Sequence, residues 1–333
     1  MTTHDLQPFL DRCASIVRRH ALDAGAYARW AWQDALGSRA LGPNEYGCAD
    51  AINILYTLGA LPEGGERRAL AAALNALQDP TTGLFTEATH DPIHTTAHFV
   101  AELELLDARP QHPLEGLAHL RSPAAVPDFL DALDWRGNPW GESHKGAGAY
   151  AALVVAGEVG TAWEDRYFGW LWDEADPETG FWRRGKVAAA GDEMRFHHLA
   201  GSFHYLFNHE YARRPLRFPE RMIDSCLQIR NDNLFPWLGR IVGFAEVDWV
   251  YCLHRARRQC GHRFADVTVA LESFAEDYLS YLGGLDPQAD EGLNDLHQLF
   301  GALCALAELQ QALPGRLRSD RPLRLVLDRR PFI

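Results

Sequence analysis

Side chains able to move protons recur along this 333-residue chain about every fifty residues, at Tyr46, His94, His144, His198, Asp248 and His297. Imidazoles exchange protons near neutral pH, and carboxyl groups do so once burial has raised their proton affinity. More polar chemistry surrounds these positions: Asn44-Glu45-Tyr46, His90 to His94, Trp140-Gly141-Glu142-Ser143-His144-Lys145, His197-His198, Glu246-Val247-Asp248-Trp249 and Asn294-Asp295-Leu296-His297. Glycoside hydrolysis needs one carboxyl group that holds a proton and a second that is ionised across the sugar. Glu142 suits the first role, because the flanking Trp140 and apolar packing would desolvate it; Glu45 and Glu246 are its substitutes. Asp248 or Asp295 suits the second. A uronate lyase or epimerase instead draws the proton next to a carboxylate with His or Tyr, while Arg or Asn stabilises the resulting charge. His144, His198, Tyr46 and Asn44 fit those roles, with Arg195 and Arg240 as the nearby cations. His94, Trp140, His197, Glu246, Trp249 and His297, with Asn44, Glu45 and Tyr46, are assigned to substrate binding. Trp135, Trp140, Trp182 and Trp237 fall in loop-like stretches, where flat apolar faces line pockets.

Simpler roles compete with these. Asp91, Ser143 and Asn294 are residue types that cap helix N-termini. His94-Thr-Thr-Ala-His98 sets two imidazoles on one helix face, the spacing of a zinc pair, but lacks the Glu of a metalloprotease motif and a clear third ligand. The reading therefore assigns no metal or cofactor.

The elements that carry these residues read as helices: 5–20, 25–36, 48–59, 65–78, 92–107, 127–133, 144–158, 163–175, 195–211, 219–230, 246–260, 264–282 and 292–312. The best strand candidate is Leu323 to Asp328. Helices that open at the recurrent positions are apolar nearly all round, which predicts that protein surrounds them. Those between are amphipathic. Such a period predicts helical hairpins that bury their faces against one another, and six equal units predict a closed ring. Two turns repeat: Asp79-Pro80-Thr81-Thr82-Gly83-Leu84-Phe85 and Asp176-Pro177-Glu178-Thr179-Gly180-Phe181-Trp182, with Asp286-Pro287 a degenerate third copy. Pro sets φ for such a turn and Gly supplies positive φ.

Leu77 to Phe85 followed by His94 to Leu106 resembles the repeat of squalene cyclases and protein prenyltransferases. The six-hairpin glycosidases and several polysaccharide lyases share that α/α-toroid layout. The resemblance implies a closed toroid with inner and outer helices, and a funnel at the N-terminal ends of the inner ones. The chemistry of the first two families is not matched. No DxDD acid motif occurs, and Tyr46 stands where the prenyltransferase zinc Asp would precede Cys48, with His297 as the third ligand.

No linker divides the chain, so one domain spans 1–333, with 314–333 as a tail packed on the ring. A net charge of -13 argues against a nucleic-acid partner. The start, MTTHDLQPFL, lacks a signal-peptide pattern, and no apolar run reaches membrane length. Cys13, Cys48, Cys226, Cys252, Cys260 and Cys304 form no CxxC pair and read as reduced thiols of a cytoplasmic protein. The expected function is a carbohydrate-active enzyme, hydrolase or lyase in type, acting on small oligosaccharides or uronates. The alternatives are a terpenoid or prenyl-transfer enzyme of divergent chemistry and a non-catalytic helical scaffold.

Overall fold

A computed structural model describes residues 3–23, 25–234 and 242–333; Trp237 and Arg240 lie outside them. The protein is all-α. Its helices are α1 (Gln7–His20), α2 (Glu45–Thr57), α3 (Gly64–Asn75), α4 (Pro92–Leu105), α5 (Ala125–Asp131), α6 (Pro139–Val155), α7 (Thr161–Glu174), α8 (Lys186–Ala190), α9 (Arg195–Tyr211), α10 (Pro219–Asn231), α11 (Ala245–Gln259), α12 (Phe264–Gly284), α13 (Glu291–Asn294) and α14 (Leu296–Ala312). Among the described residues the strand component is one short parallel pair, His4–Asp5 with Leu317–Arg318. No helix among the described residues is long and apolar enough to cross a membrane. All six cysteines are unbridged.

The burial contrast read from the sequence is present. In α2, α4, α11 and α14 nearly every side chain is buried, and in α6 and α9 most are, whereas α3 and α5 bury only Leu70 with Leu74 and Val126 with Leu130. Four of the enclosed helices end alike. Gly59, Asp107, Gly157 and Arg213 follow α2, α4, α6 and α9 at positive φ. The next amide then reaches back five residues, as Ala60 N to Leu55 O, Ala108 N to Leu103 O, Glu158 N to Leu153 O and Arg214 N to His209 O. This motif satisfies carbonyls that a helix end leaves without partners.

Both clear turn copies also close identically. Asp79 Oδ1 accepts from the amides of Thr81 and Thr82, and Asp176 Oδ1 from those of Glu178 and Thr179. Gly83 and Gly180 adopt φ of 70° and 74°. At Gly180 a Cβ would stand 2.5 Å from Met222 N, so close backbone approach requires glycine as well as the dihedral.

Two expected elements are absent. Residues 25–36 form an irregular strap rather than a helix, because their backbone partners lie elsewhere in the chain. Gly25 turns at φ 91°, Ala28 N donates to His20 O, and the amides of Ala31 and Trp32 donate to the Asn294 side chain. The strap crosses α2 at Gly47, where a Cβ would meet Ala28 C at 2.4 Å. Leu323 to Asp328 forms no strand either. Leu323 N and Arg324 N are taken by Gln310 Oε1 and Thr57 O, and a single 3-10 turn follows at Val326–Asp328.

The chain forms two compact units interleaved in sequence. The first holds Met1–Leu77, Trp237–Val250 and Thr268–Val326; the second holds Gln78–Pro236, Tyr251–Val267 and Leu327–Ile333. In the second, α4 packs on α6 and α6 on α9; in the first, α14 packs on α2.

Candidate functional site

In the second unit the starts of α4 and α6 and the middle of α9 bring imidazoles together. Asp91 caps α4 by accepting from Ile93 N at 2.8 Å, and Asn138 caps α6 by accepting from Gly141 N at 3.2 Å. Ser143 is therefore not a cap. It lies one turn inside α6, facing α9. The rings of His94 and His144 are 4.4 Å apart, those of His90 and His94 4.7 Å, and those of His144 and His204 4.8 Å. Trp140 meets His197 at 5.8 Å on the same rim.

The hydrogen bonds determine where one of these protons sits. Ser143 has a single hydroxyl hydrogen, which it donates to Trp140 O at 2.5 Å. The 2.8 Å contact between Ser143 Oγ and His204 Nδ1 must then use the ring proton, which leaves the Nε2 of His204 as a lone pair. Burial pushes His204 down to about 3, so the ring is neutral at ordinary pH. His94 also lies well below the usual imidazole range, first through burial and then through His144, His90, His98 and His204. Within the layer His94 and His204 are desolvated imidazoles, and His204 has a prepared acceptor nitrogen.

The other expected residues of this unit divide around that layer. Glu142 pairs with Lys145 at 2.7 Å in a partly open position, so an ammonium stands where apolar packing was expected. The same bond favours the charged form of Lys145. His198 faces away from His204. It shares with Ser202, Tyr205 and His209 the side of α9 that lies against Trp182, and its Nδ1 donates to Trp182 O at 2.9 Å. Its Nε2 is buried with no partner among the described residues, and burial lowers its proton affinity. Trp135 and Trp182 are core residues rather than pocket walls, with indole N–H groups donating to Leu130 O and Leu171 O. His98, which shares a helix face with His94 at the zinc-pair spacing, accepts at Nδ1 from Arg330 at 3.0 Å. A guanidinium only donates, so this contact makes His98 the Nε2–H tautomer and engages its Nδ1 lone pair.

The first unit gathers a different set. His297 Nδ1 lies 2.9 Å from Asp50 Oδ2, and its ring meets Tyr46 at 4.6 Å and Phe244 at 4.4 Å. Asp295 caps α14 through His297 N and accepts Arg29 at both oxygens, at 2.9 and 3.0 Å, which gives it a structural post in place of the expected base role. Asn44 caps α2 through Gly47 N. Trp249 is fully buried on Phe274, with no face left for a sugar. Glu246 and Asp248 are fully buried on α11, and their carboxyl oxygens find no partner among the described residues. Burial pushes Glu246 up to about 8 and Asp248 well above the carboxylate range. Their two-residue spacing turns them to different faces of the helix.

Sequence reasoning missed His204, Asp50, Arg29 and Arg330. His204 had a usable signal, since it follows His197 by two helical turns on one face of α9. Asp50 had a weaker one, one turn after Tyr46. Comparison of the chain with family models, curated proteins and solved structures returns no match.

Proposed function

We propose that this protein is an enzyme acting on a small carbohydrate by proton transfer at neutral imidazoles, and that uronates are its substrates. The observation that carries this reading is the chain from Trp140 O through Ser143 to His204, which leaves the Nε2 of His204 as a lone pair on a ring 4.8 Å from His144, itself 4.4 Å from His94. In the reaction the proton next to the uronate carboxyl moves to the Nε2 of His204, and its electron pair spreads into the carboxyl group. Delivery of a solvent proton to the opposite face, with the His204 proton passing to water, gives an epimer; departure of the β-oxygen with its bonding pair, taking up the proton from His204, gives an unsaturated sugar. Lys145 on the rim meets the substrate carboxylate. The N-terminal ends of α4 and α6 add partial positive charge where the enolate-like charge grows. The six-hairpin α/α ring and the cytoplasmic address expected from the sequence belong to this proposal.

A specific observation favours a second, hydrolytic reading. Glu246 is a carboxyl group kept protonated by burial, as the acid of a glycosidase must be. One assay separates the two. Incubation with uronate oligomers in deuterated water should give exchange at the carbon next to the carboxyl, or an unsaturated product. Hydrolysis without either would transfer the function to the carboxylates. Thermal stabilisation by isoprenoid diphosphates and by no sugar or uronate would overturn both.

A further inference from the structure

The stretch that ends at Ile333 runs through the second unit rather than over it, and Arg330 and Phe332 are 0% exposed. Arg330 donates to the Glu102 carboxylate and to Nδ1 and O of His98, all on α4. Asn208 of α9 donates to Pro331 O at 2.8 Å. The Phe332 ring lies 5.0 Å from His94 and 5.8 Å from both His204 and Phe207. On α6 the same ring fills the space beside Gly148, where a Cβ would meet its Cζ at 3.3 Å. Each contact falls about one turn beyond an imidazole: His98 follows His94, Gly148 follows His144, and Asn208 follows His204.

We propose that Phe332, held by Arg330, is the floor of the imidazole site: it keeps water from the inner faces of His94 and His204 and closes the site at the end away from the helix N-termini. Phe332 is a positioning residue, since it acts through the two rings. The groups facing those rings are His90 and His98 on α4, Ser143 and His144 on α6, and Phe207 on α9. The ion pair of Arg330 with Glu102 lies a turn further along. Loss of the Phe332 ring leaves a space lined by imidazoles and the Pro331 carbonyl, polar enough to take up water. A closed floor also limits the ligand to a monomer or a chain end, a consequence that rests on the functional reading above; the exclusion of water does not.

The test is titration of the histidines by nitrogen-resolved NMR in the parent, Phe332→Ala and Phe332→Val. In the parent His94 and His204 stay neutral down to the acid-unfolding limit. In Phe332→Ala both should titrate upward toward the ordinary imidazole value, by about one pH unit or more. Phe332→Val should show a smaller shift and carries the test if the alanine variant does not fold. His197, outside the floor, should not move in either. Curves for His94 and His204 that coincide with the parent's would overturn the proposal, as would attack by the parent within long uronate chains. Shifted imidazoles in a protein that turns over no uronate would sink the functional reading and leave the floor standing.

Discussion

Both units bury ionisable groups, and they do so with opposite sign. In the second, His94 and His204 are bases held neutral; in the first, Glu246 and Asp248 are acids held neutral. Desolvation is the first cause in all four, because an environment without water penalises whichever form carries charge. Their partners differ. His204 has a hydroxyl that orients its proton, whereas the two carboxyl groups have no partner among the described residues to orient theirs. A base with a determined tautomer suits directed proton transfer, and a buried acid without partners stores free energy that pH can release. The units are therefore separable by mutation and by pH.

The largest effect is expected at the oriented base. His204→Gln keeps a polar side chain of similar size without the basic nitrogen, and should lower uronate turnover by about 10²–10⁴-fold. Steady-state rates with the folded variant check this, and an unchanged rate would transfer the base to His144 or to the first unit. Next comes the buried ion pair of the first unit. Asp295→Ala leaves Arg29 buried without its carboxylate and removes the α14 cap, which should cost about 3–5 kcal/mol by urea unfolding. A loss below about 1 kcal/mol would show that Arg29 reaches water and that Asp295 has no structural post.

The pH dependence of stability then compares the units directly. His204 is at about 3 in the fold against an ordinary 6.5, and His209 at about 4, both through burial. Between those values the unfolded chain binds more protons, so stability falls as pH drops from 6.5, by about 1.4 kcal/mol per unit for each such ring. Glu246 runs the other way. It is at about 8 in the fold against 4.5, so the fold holds the extra proton and stability falls as pH rises from 4.5 to 8, with a slope of about 1.4 kcal/mol per unit. Urea midpoints across pH should show His204→Gln flattening the acid limb and Glu246→Gln the alkaline limb. If each variant flattens the other limb, or neither, the contrast between the units is wrong. The smallest effect is expected at Glu142, where a partly open pair with Lys145 contributes under about 1 kcal/mol. Glu142→Gln should change turnover less than about tenfold; a loss of orders of magnitude would restore the two-carboxylate mechanism.

The start of α4, the repeated turns and the burial contrast were legible because their causes are local: Asp91 caps the amide beside it, the two DPxTG turns close on their own aspartates, and enclosed helices differ from half-exposed ones in composition alone. The starts of α2 and α6 were placed too late, at 48 and 144, because the caps Asn44 and Asn138 were not recognised. The strap at 25–36 was not legible, since its amides are satisfied by His20 and by Asn294, far off in the chain. Glu142 was misjudged for a related reason. The tryptophan beside it in sequence does not enclose it, while Lys145, one turn away, reaches it.

By itself the sequence determined the spacing of the polar positions, the helices that bear them and the turns between, since caps, dihedral preferences and apolar periodicity act within a few residues. Only the tertiary structure decided which of those positions meet. It set His204 against Ser143 across 61 residues and His297 against Asp50 across 247. It also placed Phe332 beside His94. Desolvation and hydrogen-bond direction depend on neighbours that arrive from distant parts of the chain. A histidine's type and position are therefore written in the sequence, while its charge and the nitrogen that bears its proton follow from the packing.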